Sequence, residues 1–313
     1  MACENRPKIA LYSCTFAKDL NRALRMAESV AKHNKDGIPF YISAPEDEIE
    51  LFKSAFSGCS VNIIDERDIL RANPKLDIEK LYRLSGSTRQ QIIKSEFWRL
   101  GLSENYLVLD SDCVFIRDFD EADFIVKDDI PYSVIHEGRD LLLATERFGP
   151  ATARRDFAER TEWIKTALGR PGISYQYGCA PFLWSRKVWD SLDKNYLSPR
   201  GESFLDAILY CASEFTWYGE SLMAFKAIPL YPREQLFKHY DYEHQFWLDQ
   251  ALGYSEQVLA KDFMGVVYQS NWQTWYDFGP ARKSPFSLLL RATKRIIKQQ
   301  KFKIMLLMQL FRI

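Results

Sequence analysis

The chain has 313 residues, 47% hydrophobic and 14% aromatic, with 42 basic and 42 acidic side chains. That composition can bury one elaborated α/β domain or two small ones, and it excludes a largely disordered chain. The six cysteines (3, 14, 59, 113, 179 and 211) form no zinc-spaced cluster, and no run reaches the ~18 apolar residues of a spanning helix. The N-terminal residues Met1 to Lys8 lack the apolar centre of a secretory leader, so a reduced, cytoplasmic setting is expected.

In chain order, Lys8 to Thr15 reads as a short apolar strand. Leu20, Leu24, Ala27, Val30 and Ala31 then recur at helical spacing, with Asp19 as the expected cap. Pro39 to Ser43 gives a second strand, the acidic stretch from Glu46 opens a helix through Leu51, Phe52 and Phe56, and Ser60 to Ile64 gives a third strand. This β-α-β-α-β run predicts a parallel sheet. Residues 65–88 read as polar and irregular. Arg89 to Leu100 then reads as a helix with Ile92, Ile93, Phe97 and Leu100 inward. After residue 118 the pattern loosens into hairpin-like pieces near Tyr132 to Ile135, a mixed-charge helix near 150–168, a Gly/Pro turn at 169–172, and many Trp and Tyr residues.

Between these halves stands the most informative segment, Tyr106 to Ile116, where Asp110 and Asp112 follow the apolar run Leu107, Val108, Leu109 and precede Val114, Phe115 and Ile116. Read as one extended strand, the two carboxylates point the same way, because side chains alternate with period two. Such a pair repels itself unless a cation intervenes, and a hard divalent ion carrying phosphate oxygens suits the carboxyl end of a strand. Asp118 and Asp120 repeat the spacing but lead into Glu121 and Asp123, and read as a solvated loop.

A first strand and open loop, about a hundred residues of βα units, an apolar strand ending in Asp-x-Asp and an aromatic-rich second half resemble the GT-A glycosyltransferases, over about residues 8–275. The Tyr106 to Asp118 segment is similar to the YLVLDSD stretch of bacterial capsule and lipopolysaccharide transferases, and more distantly to the glycogenin-like ones. The resemblance implies a Rossmann-like α/β fold with a mixed, mainly parallel sheet flanked by helices. It places a nucleotide-sugar-binding half in 1–118 and an acceptor half in 119–280. It also implies a metal-dependent transfer of sugar from a nucleotide sugar, a UDP-sugar in the first instance, to a glycan or lipid-linked acceptor in surface polysaccharide synthesis. Asp112 would ligate Mn2+ or Mg2+ on the diphosphate, Asp110 would contact the ribose or the ion, and the first loop, with Ser13 and Thr15, would meet the nucleoside. The metal would neutralise the charge growing on the departing nucleotide.

Arg89, Gln90 and Lys94 cluster at the start of the helix before the motif, where a helix N-terminus favours anions and Lys94 is within reach of a phosphate. The alternative is a solvated face with i to i+4 pairing. Inverting transfer also needs a carboxylate to take the acceptor's proton. Ser213 to Glu220 resembles the SE…YG segment of the polysaccharide transferases, which points to Glu214, with Glu220 second; an acid among Phe215, Trp217 and Tyr218 would be partly desolvated and its pKa raised. A retaining transfer needs neither as base. His239 or the polar positions of Tyr268 to Trp272 are candidates for a third metal or phosphate contact, although the His-x-x-Gly-x-x-Lys pattern of the glycogenin-like enzymes is missing. Tyr177 to Pro181, with Tyr175 and Trp184, suits a sugar-facing acceptor floor.

Residues 281–313 hold nine bases and no acid, leaving 33 bases against 42 acids, or −9, on residues 1–280. Nucleic acid is excluded as a partner, since its binders spread their charge over a folded face. The interleaved Leu, Ile, Met and Phe predict an amphipathic helical tail lying on an anionic membrane, so that the protein is peripheral at the inner face; a partner-docking helix is the rival. Two other functions compete. One is a phosphatase of the haloacid dehalogenase type with Asp110 as nucleophile, disfavoured by the late position of the motif and the missing Gly-Asp-x-x-x-Asp segment. The other is a non-catalytic sugar-binding protein.

Overall fold

The structure, a computed structural model, describes residues 6–148, 152–178, 180–269 and 285–310. Cys179 of the expected acceptor floor, Ser270, Asn271 and Trp272 of the third-contact segment, and Arg282, Lys283 and Arg312 of the tail lie outside the described residues. Among the described residues the strands are β1 (Ile9–Cys14), β2 (Phe40–Ala44), β3 (Asn62–Asp65), β4 (Asn105–Leu109), β5 (Cys113–Phe115), β6 (Ile125–Lys127), β7 (Ile130–Pro131), β8 (Ser133–Val134), β9 (Phe182–Ser185), β10 (Pro232–Arg233), β11 (Phe237–Tyr240) and β12 (Gly265–Tyr268).

The chain folds into two compact units that interleave along the sequence: residues 1–15, 35–110 and 120–235 in the first, and 16–34, 111–119 and 236–313 in the second. The first is a mixed α/β unit around a five-stranded sheet of order β3-β2-β1-β4-β9. Its first four strands run parallel and β9 antiparallel to β4, with Leu11 opposite Phe40 and Leu107, and Leu107 opposite Leu183. Every residue of β1 and β4 is buried, which is why both read as unbroken apolar runs. One sheet face, carrying Tyr12, Cys14, Tyr106 and Val108, packs into a core with Ile92, Ile93 and Phe97 from the Gly86–Glu96 helix and its 3-10 extension Phe97–Leu100. The same core takes Trp189 from Arg186–Leu192 and Trp217 from Glu214–Phe225. The Tyr12 and Phe97 rings lie parallel with centroids 3.8 Å apart.

The stretch read as irregular holds two short helices, Glu66–Arg71 and Ile78–Tyr82, each started by an aspartate whose side chain accepts a backbone N–H (Asp65 from Arg67, Asp77 from Lys80). Their apolar content, Ile69, Leu70 and Leu81, is too sparse for periodicity to show, yet all three are buried.

In the second unit the sheet order is β11-β12-β5, with β5 antiparallel to β12. The Leu20–His33 helix packs on β5, where Ser29 Oγ accepts the Phe115 N–H at 3.0 Å. Asp19 caps this helix by position but gives it no side-chain hydrogen bond; its carboxylate pairs with Arg22 instead. The Pro285–Leu310 helix forms where the tail pattern places it and packs on the Glu243–Leu252 helix.

One expectation fails locally. Tyr106 to Ile116 is not one strand, because residues 111 and 112 form a turn and β4 and β5 belong to different sheets. Period-two alternation therefore does not carry across from Asp110 to Asp112.

Replacing Phe97 by Ala is expected to cost about 3–5 kcal/mol of stability through the cavity left against Tyr12. Urea unfolding checks this by a lowered midpoint at unchanged slope; a midpoint within error of wild type would show that the stack is dispensable.

Candidate active site

Strands β1, β2, β3 and β4 run parallel, so their carboxyl ends share one edge, the usual place for ligands in such sheets. Asp110 leaves that edge directly after β4. The Gly86–Glu96 helix starts from Ser85, whose Oγ accepts the Thr88 N–H, and its next turns bring Gln90 and Lys94 to the same edge. Gln90 Nε2 donates to the Cys14 carbonyl at 2.9 Å, tying the helix to the end of β1.

Lys94 is 3% exposed, and its ammonium donates to the Asp110 carboxylate. Lys94 meets a carboxylate partner, because the helix phase that turns it from solvent aims it at the end of β4. Burial alone would lower its pKa, but the charges of Asp110 and Glu214 outweigh burial and raise it.

Glu214 opens the Glu214–Phe225 helix and is 7% exposed. Burial pushes its pKa up; Lys94 opposes that shift, and Asp110 adds to it. The resulting cluster has one buried ammonium and two carboxylates, so one negative charge is in excess once all three ionise. Sequence reasoning named all three residues but not their assembly, since 16 residues separate Lys94 from Asp110 and about a hundred separate Asp110 from Glu214.

The other candidates are placed as follows. Arg89 lies 3.9 Å from the buried Glu66, which also accepts the Tyr82 hydroxyl at 3.1 Å. Ser13 and Thr15 are buried, and the Thr15 N–H donates to the Ser43 carbonyl at 3.0 Å. In the second unit the Asp112 carbonyl accepts the Tyr268 N–H at 3.0 Å, and His239 sits on β11 with Nδ1 3.0 Å from Asp241.

Glu220 is fully buried and bound by Arg170 in a bidentate pair through the Nε–Nη2 edge of the guanidinium, Nη2 at 2.8 Å from Oε1. Arg170 also donates to the Pro171 and Ile173 carbonyls, so the guanidinium is fixed in place and Glu220 is held as its buried counter-ion. No sequence spacing announces a partner 50 residues away. Tyr177 and Trp184 of the expected acceptor floor are also packed core. Tyr177 lies against Gly219, where an added Cβ would come within 2.0 Å of its ring, and Trp184 sits among Tyr106, Phe182, Trp189 and Tyr218. Their ring faces are spent on one another.

The described residues contain no group of three His, Cys, Asp or Glu side chains able to hold a metal ion. Ions of the Mg2+ or Mn2+ kind take one or two carboxylates plus water and other oxygens instead of an all-protein cage, and Asp110, which gives one carboxylate oxygen to Lys94, has its second oxygen to offer such an ion.

The raised pKa of Glu214 has a thermodynamic sign. The folded protein keeps that proton to higher pH than the unfolded chain does, so stability from this group is full below the ordinary value of 4.5 and falls as pH rises through the raised one. Glu214→Gln is therefore expected to match wild type in Tm near about pH 4 and to exceed it above that, by a margin that grows until the pH passes the raised value and stays constant beyond it. A Tm difference that stays flat with pH would overturn this account of the cluster.

By structure, the chain is similar to the apo form of mouse xyloside xylosyltransferase 1, with a TM-score of 0.41 at 12% identity over 84% of this chain and 98% of that one. No curated protein matches the sequence. A family model described as a family of unknown function, DUF6492, matches residues 9–300, nearly the whole length, and the chain belongs to that family.

Proposed function

We propose that the protein is a GT-A-type, metal-dependent glycosyltransferase that moves a sugar from a nucleotide sugar, a UDP-sugar first, to a glycan or lipid-linked acceptor in surface polysaccharide synthesis. The observation that carries the reading is the Lys94, Asp110 and Glu214 cluster at the carboxyl end of β4. Two carboxylates around one ammonium leave an unspent acceptor capacity, which suits the hydroxyl donors of a sugar ring. Asp110, held by Lys94, would orient the donor. Glu214, with its raised pKa, is the base that takes the acceptor hydroxyl's proton. Asp112 would hold Mn2+ or Mg2+ on the diphosphate, with His239 as the candidate further ligand, and the bound ion would neutralise the leaving nucleotide. Arg89, Gln90, Ser13 and Thr15 would frame the nucleoside and phosphates.

The tail supports attachment to a membrane. Lys298 reaches Glu243 at 2.6 Å and Phe302 meets His244, so one face of the Pro285–Leu310 helix is docked within its unit. Leu289, Leu290, Ile297, Ile304, Leu307 and Met308 are exposed, at spacings that place them together on another face, with exposed Lys294, Lys301 and Lys303 on the same helix. No helix among the described residues is long and apolar enough to cross a bilayer. An in-plane helix at the anionic inner face of the membrane fits this pattern.

Nucleotide sugars incubated with the protein in Mn2+ buffer are expected to be hydrolysed slowly without acceptor. Asp112→Ala should abolish the reaction with folding retained by circular dichroism, and Glu214→Gln should lower kcat by about 10²–10⁴-fold. Wild-type rates in Asp112→Ala would remove the ion from the mechanism, and release of phosphate from phosphomonoesters instead would favour the phosphatase reading. Vesicles with anionic headgroups should co-sediment the wild type and not an Ile297→Glu, Ile304→Glu double variant, with neutral vesicles retaining neither; equal retention of both proteins would remove the tail from membrane binding.

A further inference from the structure

Among the described residues Trp163 is the one exposed tryptophan, at 56%, and its ring stands 6.1 Å from that of Tyr210, 58% exposed, with the planes tilted by 42°. Trp163 lies on the Ala153–Ala167 helix, and Tyr210 ends the Phe204–Tyr210 helix four residues before Glu214. The pair is anchored. Tyr210 rests at 6.5 Å on the ring of Trp217, which is fully buried one turn along the Glu214 helix and donates from Nε1 to the Cys211 carbonyl at 2.9 Å. The pair is also tied to the start of the Glu214 helix, because Cys211 Sγ donates to the carbonyl of Arg160, one turn before Trp163, at 3.8 Å.

Two open ring faces set at an angle, with Glu159, Arg160 and Thr166 on neighbouring turns, pair an apolar surface with hydrogen-bonding groups. A pyranose matches this, since its C–H face packs on an aromatic ring while its hydroxyls need polar partners. Leu209, next to Tyr210 in sequence, is the exposed aliphatic residue beside the pair. We propose that Trp163 and Tyr210 form an acceptor platform that binds a sugar ring of a glycan beside Glu214. This rests on the transferase reading and narrows it, making the acceptor a carbohydrate recognised by its ring face.

The test uses the full chain and a set of soluble oligosaccharides built from gluco-, galacto- and manno-configured pyranoses, with binding read by saturation-transfer NMR. At least one set is expected to bind wild type, with affinity falling about tenfold in Trp163→Ala and in Tyr210→Ala, retained in part in Trp163→Phe, and unchanged in Leu143→Ala, an exposed leucine on another helix. No binding by wild type, equal binding by all variants, or loss of vesicle binding in place of sugar binding would overturn the platform. Nucleotide-sugar hydrolysis by wild type is scored separately. Sugar binding that depends on Trp163 in a protein without hydrolysis would uphold the platform and reject the transferase.

Discussion

A single buried ammonium, that of Lys94, sits with a buried carboxylate, Glu214, and a half-buried one, Asp110, and the candidate chemistry follows from that imbalance. An ion pair alone would be neutral and inert. The second carboxylate makes the cluster hungry for a proton or for hydrogen-bond donors, which a sugar supplies. The folded state tolerates this charge at some cost in stability, a trade commonly made at sites kept for function. The scaffold allows it because β4 and the Gly86–Glu96 helix are fixed by the Tyr12, Phe97 and Tyr106 stack beneath them.

Much of the fold was legible in the sequence because burial on both sheet faces leaves unbroken apolar strands, and the β-α-β-α-β order then dictates parallel pairing. The break between Leu109 and Cys113 was not, because both flanking strands are fully buried and an apolar run looks the same whether or not it turns at Ser111. Glu214 was singled out by the resemblance of Ser213 to Glu220 to the polysaccharide transferases, and its aromatic neighbours signalled the burial that raises its pKa. The partner of Lys94 was hidden, since helical phase says that a side chain faces inward without saying what it meets. The same blindness affected the aromatic residues: Trp184 and Tyr177 were read as sugar-facing and are core, whereas Trp163, on a mixed-charge helix, is the ring left open.

The chain's two units interleave for a related reason. β5 finds its partner in β12, about 150 residues later, and the Leu20–His33 helix packs on β5, so early and late segments fold together. The basic tail belongs to this second unit through Lys298 and Phe302. Charge and apolar residues thus divide the tail helix into a face that holds it and a face left for another surface.

The clasp of Arg170 on Glu220 constrains how this sequence can drift. Loss of the guanidinium would strand an acid in a dry interior, and loss of the acid would strand the guanidinium, each a strongly destabilising step. Joint replacement by two well-fitting apolar side chains would be tolerated far better. Relatives of this chain should therefore keep both residues or exchange both, and the two positions should travel as a unit through the family's history.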